Sequence, residues 1–186
     1  MAQAAMAETP KHTVALVSKT GDQFFVPRQS IRLSEFLSEM LDNDEDLVSI
    51  DVPEVDSNVL TIVTEFLIHY ANEDPVDLRK VARIDDDTIT SPFQRGLTET
   101  EFESYLSVWD KWFLAQFTPR DIFYLLQTVD FFLIDSLTTL LAAKGSMYIR
   151  NKTAEELQDQ YGDLFDEATL EEAKRFQKFV PDVIEK

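Results

Sequence analysis

The first seventy residues alternate between strand-type and helix-type patterns, and this alternation limits the fold more than any other feature. Thr13 to Val17 and Phe24 to Val26 are β-rich runs separated by a short polar segment, which predicts a hairpin. A third strand is predicted over residues 47–52. Amphipathic helices are predicted after Ser34 and after Asp56, two good N-cap residues. The pattern predicts a mixed α/β fold in which a small amino-terminal sheet packs on helices.

The rest of the chain divides into an interruption and a second helical region. Residues 73–107 contain Glu73-Asp74-Pro75, Asp85-Asp86-Asp87 and Ser91-Pro92, which predict an exposed insertion. Thr118 then caps a predicted helix, and a second apolar helix ends near Asn151. We expect residues 1–12 to form a flexible tail, residues 13–151 to form the main domain, and residues 152–186 to form a helical extension.

The extension reads as two amphipathic helices. Thr153 and Glu156 have the spacing of a capping box, and apolar residues follow at helical spacing as far as Val183. Helices this short are marginal in water unless their apolar face is packed. Two interpretations stay open: the pair folds back onto the core, or it binds a partner.

Composition excludes several classes of function. The chain has 17 Lys and Arg against 35 Asp and Glu, a net charge of -18, so its field repels nucleic acid and anionic membranes. No apolar run approaches the roughly 20 residues that span a bilayer. The sequence has no cysteine and only His12 and His69 as imidazoles, and it shows no metal or phosphate-binding motif. We therefore expect no cofactor and no metal, and we expect a protein that is not an enzyme.

Several short motifs, in this order, resemble one family. The motifs are Val14-Ala15-Leu16-Val17-Ser18, Gly21 to Val26, Ser34-x-x-Leu37-x-x-Met40-Leu41, Val52-Pro53-Glu54-Val55, Glu73-Asp74-Pro75, Trp109-Asp110, Phe131-Phe132-Leu133-Ile134 and Lys152-Thr153-Ala154-Glu155-Glu156-Leu157. Together they resemble the S-phase-kinase-associated adaptor family, the small F-box-binding subunit of SCF ubiquitin ligases. The resemblance implies a BTB/POZ-like domain with a carboxyl-terminal two-helix extension, in a divergent member of the family.

The resemblance also implies a function, partners and sites. The protein would be a non-catalytic adaptor, cytoplasmic and nuclear, that links a cullin to interchangeable F-box receptors, with no nucleic acid or membrane among its partners and a weak homodimer when free. The cullin-binding residues it implies are Met40, Trp109, Asp130 and Phe131. The F-box-binding residues it implies are Met147, Leu157, Tyr161, Leu164, Phe165, Leu170, Phe176 and Phe179.

Some positions depart from the family pattern, and other interpretations remain open. The family usually has Asn-Tyr where this chain has Asp130-Phe131, and it has Pro where this chain has Ala154. The alternative is a BTB-like scaffold subunit of another assembly, such as a kinetochore complex or a homo-oligomer. Elongin C is a related family, but it ends before the extension. A hydrolase with paired carboxylates is a more distant alternative, and it predicts a deep pocket with two acids.

Overall fold

The computed structural model describes residues 12–44, 46–78, 99–150 and 152–162. Most of the predicted amino-terminal tail, most of the predicted insertion and the second helix of the extension lie outside these residues. The described strands are β1 (Thr13–Val17), β2 (Gln23–Pro27) and β3 (Ser49–Asp51). The described α-helices are α1 (Glu35–Asn43), α2 (Ser57–His69), α3 (Glu99–Tyr105), α4 (Val108–Ala115), α5 (Pro119–Val129), α6 (Asp135–Ile149) and α7 (Ala154–Tyr161). Two 3-10 helices span Arg28–Leu33 and Asp130–Phe132.

The strands form one small mixed sheet in the order β2-β1-β3. β1 pairs antiparallel with β2, which confirms the predicted hairpin, and parallel with β3. The third strand is shorter than the predicted range 47–52. Its ladder runs from Ser49 to Asp51, opposite Ala15 to Val17. One further hydrogen bond flanks the ladder at each end, from the Ala15 amide to the Val48 carbonyl at 2.9 Å and from the Val52 amide to the Val17 carbonyl at 2.8 Å.

The hairpin turn is attached to the start of α2. Asp56 occupies the predicted N-cap position but its side chain makes no capping hydrogen bond, so that detail of the prediction is wrong. The Ser57 hydroxyl instead donates to Asp22 Oδ2 at 2.5 Å, and the Thr20 hydroxyl donates to the same oxygen at 2.7 Å. These two hydrogen bonds, that of Ser57 first, lower the pKa of the Asp22 carboxyl. Gly21, with φ +86°, makes the turn possible.

The core lies between the sheet and the helices that follow it. Its largest fully buried side chains come from β1, β3, both 3-10 helices and the helices α1 to α5. α5 begins at the predicted N-cap Thr118, which forms a capping box in which Asp121 Oδ2 accepts from the Thr118 amide at 2.8 Å. Helices α5 and α6 pack closely at Gly145, where a Cβ would lie 3.4 Å from Leu126 and Phe123 side-chain atoms. The mixed α/β fold predicted from the sequence is confirmed.

The described ends of the predicted insertion pack against this core. Leu78, Phe102 and Leu106 are all buried, and Lys144 on α6 pairs with Glu99 on α3 at 3.4 Å. Residues 73–78 and 99–107 are therefore not simply an exposed loop. The remainder, residues 79–98, lies outside the described part of the chain, and the domain boundaries stay a prediction.

Candidate docking surfaces

Ser34 fixes the first candidate surface by joining α1 to the segment between α5 and α6. Its hydroxyl accepts from the Leu37 amide at 3.1 Å, which is the predicted cap of α1. The same hydroxyl donates to the carbonyl oxygen of Phe132. At the next residue of each segment, the Glu35 amide donates to the carbonyl of Leu133 at 3.3 Å. The two segments are thus held by buried polar contacts, which require specific geometry.

Several apolar side chains surround the contact between α1 and the segment that joins α5 to α6, and most of them are exposed. The rings of Phe36 and Phe131 lie 4.7 Å apart, and Phe132, fully buried, contacts both rings. Met40 lies one turn after Phe36 on α1, where side chains share a face. We call Phe36, Met40, Phe131 and Leu133 the junction patch; Met40, Phe131 and Leu133 are exposed and Phe36 is half-buried.

Leu133 has a strained backbone conformation. Its φ of 50° and ψ of 46° place it in the left-handed region, which costs a non-glycine residue about 1–2 kcal/mol. Its amide donates to the Asp130 carbonyl at 3.0 Å and so closes the 3-10 helix. This turn directs the chain into α6, and it leaves an apolar side chain in solvent beside the exposed carboxylate of Asp130.

The second candidate surface is formed by α5, α6 and α7. The capping box of α7 is present as predicted: Glu156 Oε2 accepts from the Thr153 amide at 2.8 Å. At the other end of α7, the buried Tyr161 ring packs against Phe123 of α5, with centroids 5.1 Å apart. Arg120 Nη2 also donates to the Gln160 carbonyl at 3.0 Å. The first helix of the extension therefore rests on the body in the free chain.

This second surface still offers apolar area. We call Phe123, Tyr124, Met147, Leu157 and Tyr161 the tail face. Tyr124 is exposed, and Met147 and Leu157 are half-buried. Leu157 lies one turn before Tyr161 on α7, where side chains share a face. Because Leu157 is only half-buried, a further helix can cover it without displacing Tyr161.

The ring of Trp109 packs against side chains of α2 and α4. Its ring stacks on His69 of α2, with centroids 3.8 Å apart and planes 4° apart, and on Phe113 at 4.8 Å. Next to it Asp110, only 2 % exposed, receives a hydrogen bond of 2.6 Å from the Tyr70 hydroxyl. Burial, followed by the hydrogen bond to Asp110, raises the pKa of Tyr70. These contacts fasten α4 to the end of α2.

The structure thus groups some predicted site residues and separates others. Met40, Asp130 and Phe131 belong to the junction patch or border it, whereas Trp109 does not. Met147, Leu157 and Tyr161 share the tail face. The remaining predicted residues lie outside the described part of the chain: Leu164, Phe165, Leu170, Phe176 and Phe179. The binding roles of all the predicted site residues stay predictions.

Sequence reasoning missed four members of these surfaces. Phe36 and Leu133 complete the junction patch, and Phe123 and Tyr124 complete the tail face. For Leu133 a signal existed in the run Phe131-Phe132-Leu133-Ile134, since four consecutive apolar residues between two helices cannot all face one core. For Phe123 and Tyr124 the apolar periodicity of α5 gave no way to tell a partner-facing side from a core-facing side.

Two kinds of site are not seen in the described residues. No group of three His, Asp or Glu there is arranged to hold a metal ion. None of the described helices is both long enough and apolar enough to cross a bilayer.

A small mixed sheet with a hairpin, packed on helices and extended at the carboxyl end, defines a BTB/POZ-like interaction domain. Residues 12–72 match the family model described as Skp1 family, tetramerisation domain. The matched segment covers about a third of the chain, and it supports the family resemblance that the motifs predict. No curated protein matches the chain.

Proposed function

We propose that this protein is a non-catalytic adaptor that links a cullin to interchangeable F-box receptors in an SCF-type ubiquitin ligase. The single observation that carries the proposal is the Skp1-family match at residues 12–72, since that family supplies adaptors of this kind. Two separate exposed apolar surfaces support it, because an adaptor needs to hold two partners at once. We expect the protein in the cytoplasm and the nucleus.

The junction patch is our candidate for the cullin contact. Its exposed side chains form a small apolar area on a rigid base, which is the arrangement of an interface hot spot. Asp130 borders it and adds a negative charge, so a cullin that binds here should present a basic residue. The departure from Asn-Tyr at Asp130-Phe131 would then change which cullin is accepted.

The tail face is our candidate for the F-box contact. α7 already rests on α5 through Tyr161 and Phe123, so the start of the extension is pre-positioned and costs less entropy on binding. We propose that Leu164, Phe165, Leu170, Phe176 and Phe179 continue this surface and that the helices of an F-box pack against it.

Binding of the two partners to variants of the full chain tests the proposal. Phe131→Asp should weaken cullin binding by more than tenfold and leave F-box binding unchanged, because a carboxylate would be buried in an apolar contact. Val48→Asp is the matched control, since Val48 is an exposed apolar residue outside both surfaces, at 57% exposure against 43% for Phe131. Phe176→Asp should have the reverse selectivity. If the wild-type chain bound neither a cullin nor any F-box protein from its own cells, the proposal would be wrong.

A BTB-like scaffold in a homo-oligomer is the second candidate function. It is favoured by the match of residues 12–72 to a family model described as a tetramerisation domain. Sedimentation of the pure chain separates the two candidates. A monomer or a weak dimer that dissociates when an F-box peptide is added supports the adaptor, whereas a stable tetramer that excludes the peptide supports the scaffold.

A further inference from the structure

Both tryptophans of the chain lie on one face that belongs to neither docking surface. Val108 and Trp112, four residues apart on α4, are 86% and 52% exposed, and Ile68 on α2 is 49% exposed. Trp109 follows Val108 on α4, and its ring lies 6.3 Å from that of Trp112. We call Ile68, Val108, Trp109 and Trp112 the tryptophan face. A cluster of exposed aromatic and branched side chains is unusual on a protein surface and marks an interaction site.

An open groove of about 600 Å³ runs along this face between β2, α2 and α4. Its walls are formed by Phe24, Thr61, Thr64, Glu65, Ile68, His69 and Trp109. The wall at Trp109 is rigid, because that ring is held between His69 and Phe113. A rigid groove with aromatic walls is suited to receive the apolar side of a helix.

The groove wall holds two polar groups, a buried hydroxyl and a carboxylate, and the carboxylate points to a cationic partner. Thr64 is 7% exposed, and its hydroxyl has no hydrogen-bond partner among the described residues, although buried hydroxyls are nearly always paired. Glu65 is the one acidic side chain in the groove wall. A cationic group placed over this wall would meet a carboxylate in a partly desolvated site, where charge pairing is strengthened.

We propose that the tryptophan face is a third docking surface, and that it binds a basic amphipathic helix of another protein. The net charge of -18 attracts such a helix. The same charge opposes a second copy of this chain, which would bring Glu65 and its surroundings against an equally acidic molecule. The segment after Gly162 is also a poor occupant, since its acidic residues outnumber its basic ones.

The probe is a synthetic fluorescein-labelled helical peptide of Leu, Ala and Lys, with leucines at i, i+3, i+4 and i+7. Binding to the full chain is followed by anisotropy, and the emission of the two tryptophans locates it. We expect Ile68→Ser and Trp112→Ser each to weaken binding about tenfold without any change of net charge. Val48→Ser is the control, because Val48 is 57% exposed and lies outside the groove. Glu65→Gln should weaken binding and reduce its dependence on salt.

Two results would overturn the proposal. Equal binding by wild type, Ile68→Ser and Trp112→Ser would mean that the peptide only coats an acidic protein, and a peptide with Glu in place of Lys checks the charge requirement. A photo-crosslinking amino acid at position 68 identifies the occupant directly. A crosslink to the peptide is the expected result, while a crosslink to a second copy, to residues 79–98 or to residues 163–186 in the absence of peptide would show that the face is already covered.

Discussion

Replacing Tyr70 by Phe isolates one hydrogen bond that fastens α4 to α2. The Tyr70 hydroxyl donates to Asp110 Oδ1 at 2.6 Å, and both residues are buried, at 4% and 2% exposure. The other carboxylate oxygen accepts from the amide and hydroxyl of Ser107 at 3.1 and 2.8 Å. Phe keeps the ring in place against Phe66, whose centroid is 4.9 Å away, so the substitution removes the donor and little else.

The expected loss can be estimated from the type of bond. A hydrogen bond to a charged group contributes about 1.5–3 kcal/mol, and a domain of this length loses about 2–4 °C of Tm per kcal/mol. Tyr70→Phe should therefore lower the free energy of unfolding by about 1.5–3 kcal/mol and Tm by about 3–12 °C. The control is Tyr124→Phe, an exposed tyrosine of the tail face, which should change stability by less than about 0.5 kcal/mol.

Alkaline pH gives an independent readout of the same bond. The Tyr70 phenol would ionise near pH 10 in the unfolded chain, whereas burial and Asp110 raise its pKa in the folded protein. Its contribution to stability is therefore complete below about pH 10 and is lost as the pH rises through the folded pKa. Tyr70→Phe should show a smaller alkaline loss than the wild type.

Urea unfolding of wild type, Tyr70→Phe, Asp110→Ala and the double variant, measured at neutral pH and above pH 10, tests this reasoning. The double-mutant cycle should give a coupling energy close to the loss in Tyr70→Phe. A coupling below about 0.5 kcal/mol, or an unchanged alkaline decline, would refute the assigned role of the bond.

Three further predictions concern the two docking surfaces. Leu133→Gly should leave stability within about 1 kcal/mol of wild type, because relief of the left-handed backbone offsets the entropy of glycine, whereas Leu133→Val should destabilise in thermal melts. Ser34→Ala should cost about 2–4 kcal/mol in urea unfolding, since it removes a helix cap and leaves the buried Phe132 carbonyl without its donor; a cost under 1 kcal/mol would contradict this. Tyr161→Ala should increase hydrogen exchange in α7 while the amides of α5 stay protected, since its ring is what holds α7 on Phe123; equal protection in both proteins would contradict the contact.

Local patterns predicted much of the fold. The hairpin, the caps at Ser34 and Thr118 and the capping box at Thr153 depend on residues close in sequence, and simple propensities therefore find them. The extent of the third strand and the missing Asp56 side-chain cap depend on contacts between elements that are distant in sequence, such as the hydrogen bond from Ser57 to Asp22. Such tertiary effects leave little trace in a local pattern.

The sequence predicted the docking surfaces less well than the fold. Periodicity marks an apolar residue as facing something, without saying whether that is the core or a partner. Nothing in the sequence distinguished Phe123 from its neighbours as a partner-binding residue. The packing of Tyr161 on its ring places it in the tail face. Trp109 was assigned to the cullin contact through the family resemblance, yet its ring neighbours lie on α2 and α4.

The contact between Ser34 and Phe132 also has a consequence for the order of events during synthesis. The two residues are 98 positions apart, so α1 emerges from the ribosome well before the carbonyl that its cap residue binds. At about 5–20 residues per second this interval lasts about 5–20 s. During that time Ser34 can cap α1, but the ring of Phe36 lacks its partners Phe131 and Phe132, and the nascent chain leaves apolar side chains of α1 exposed. The junction patch can therefore act only in a chain translated past residue 133, so a truncated chain cannot occupy a partner through it.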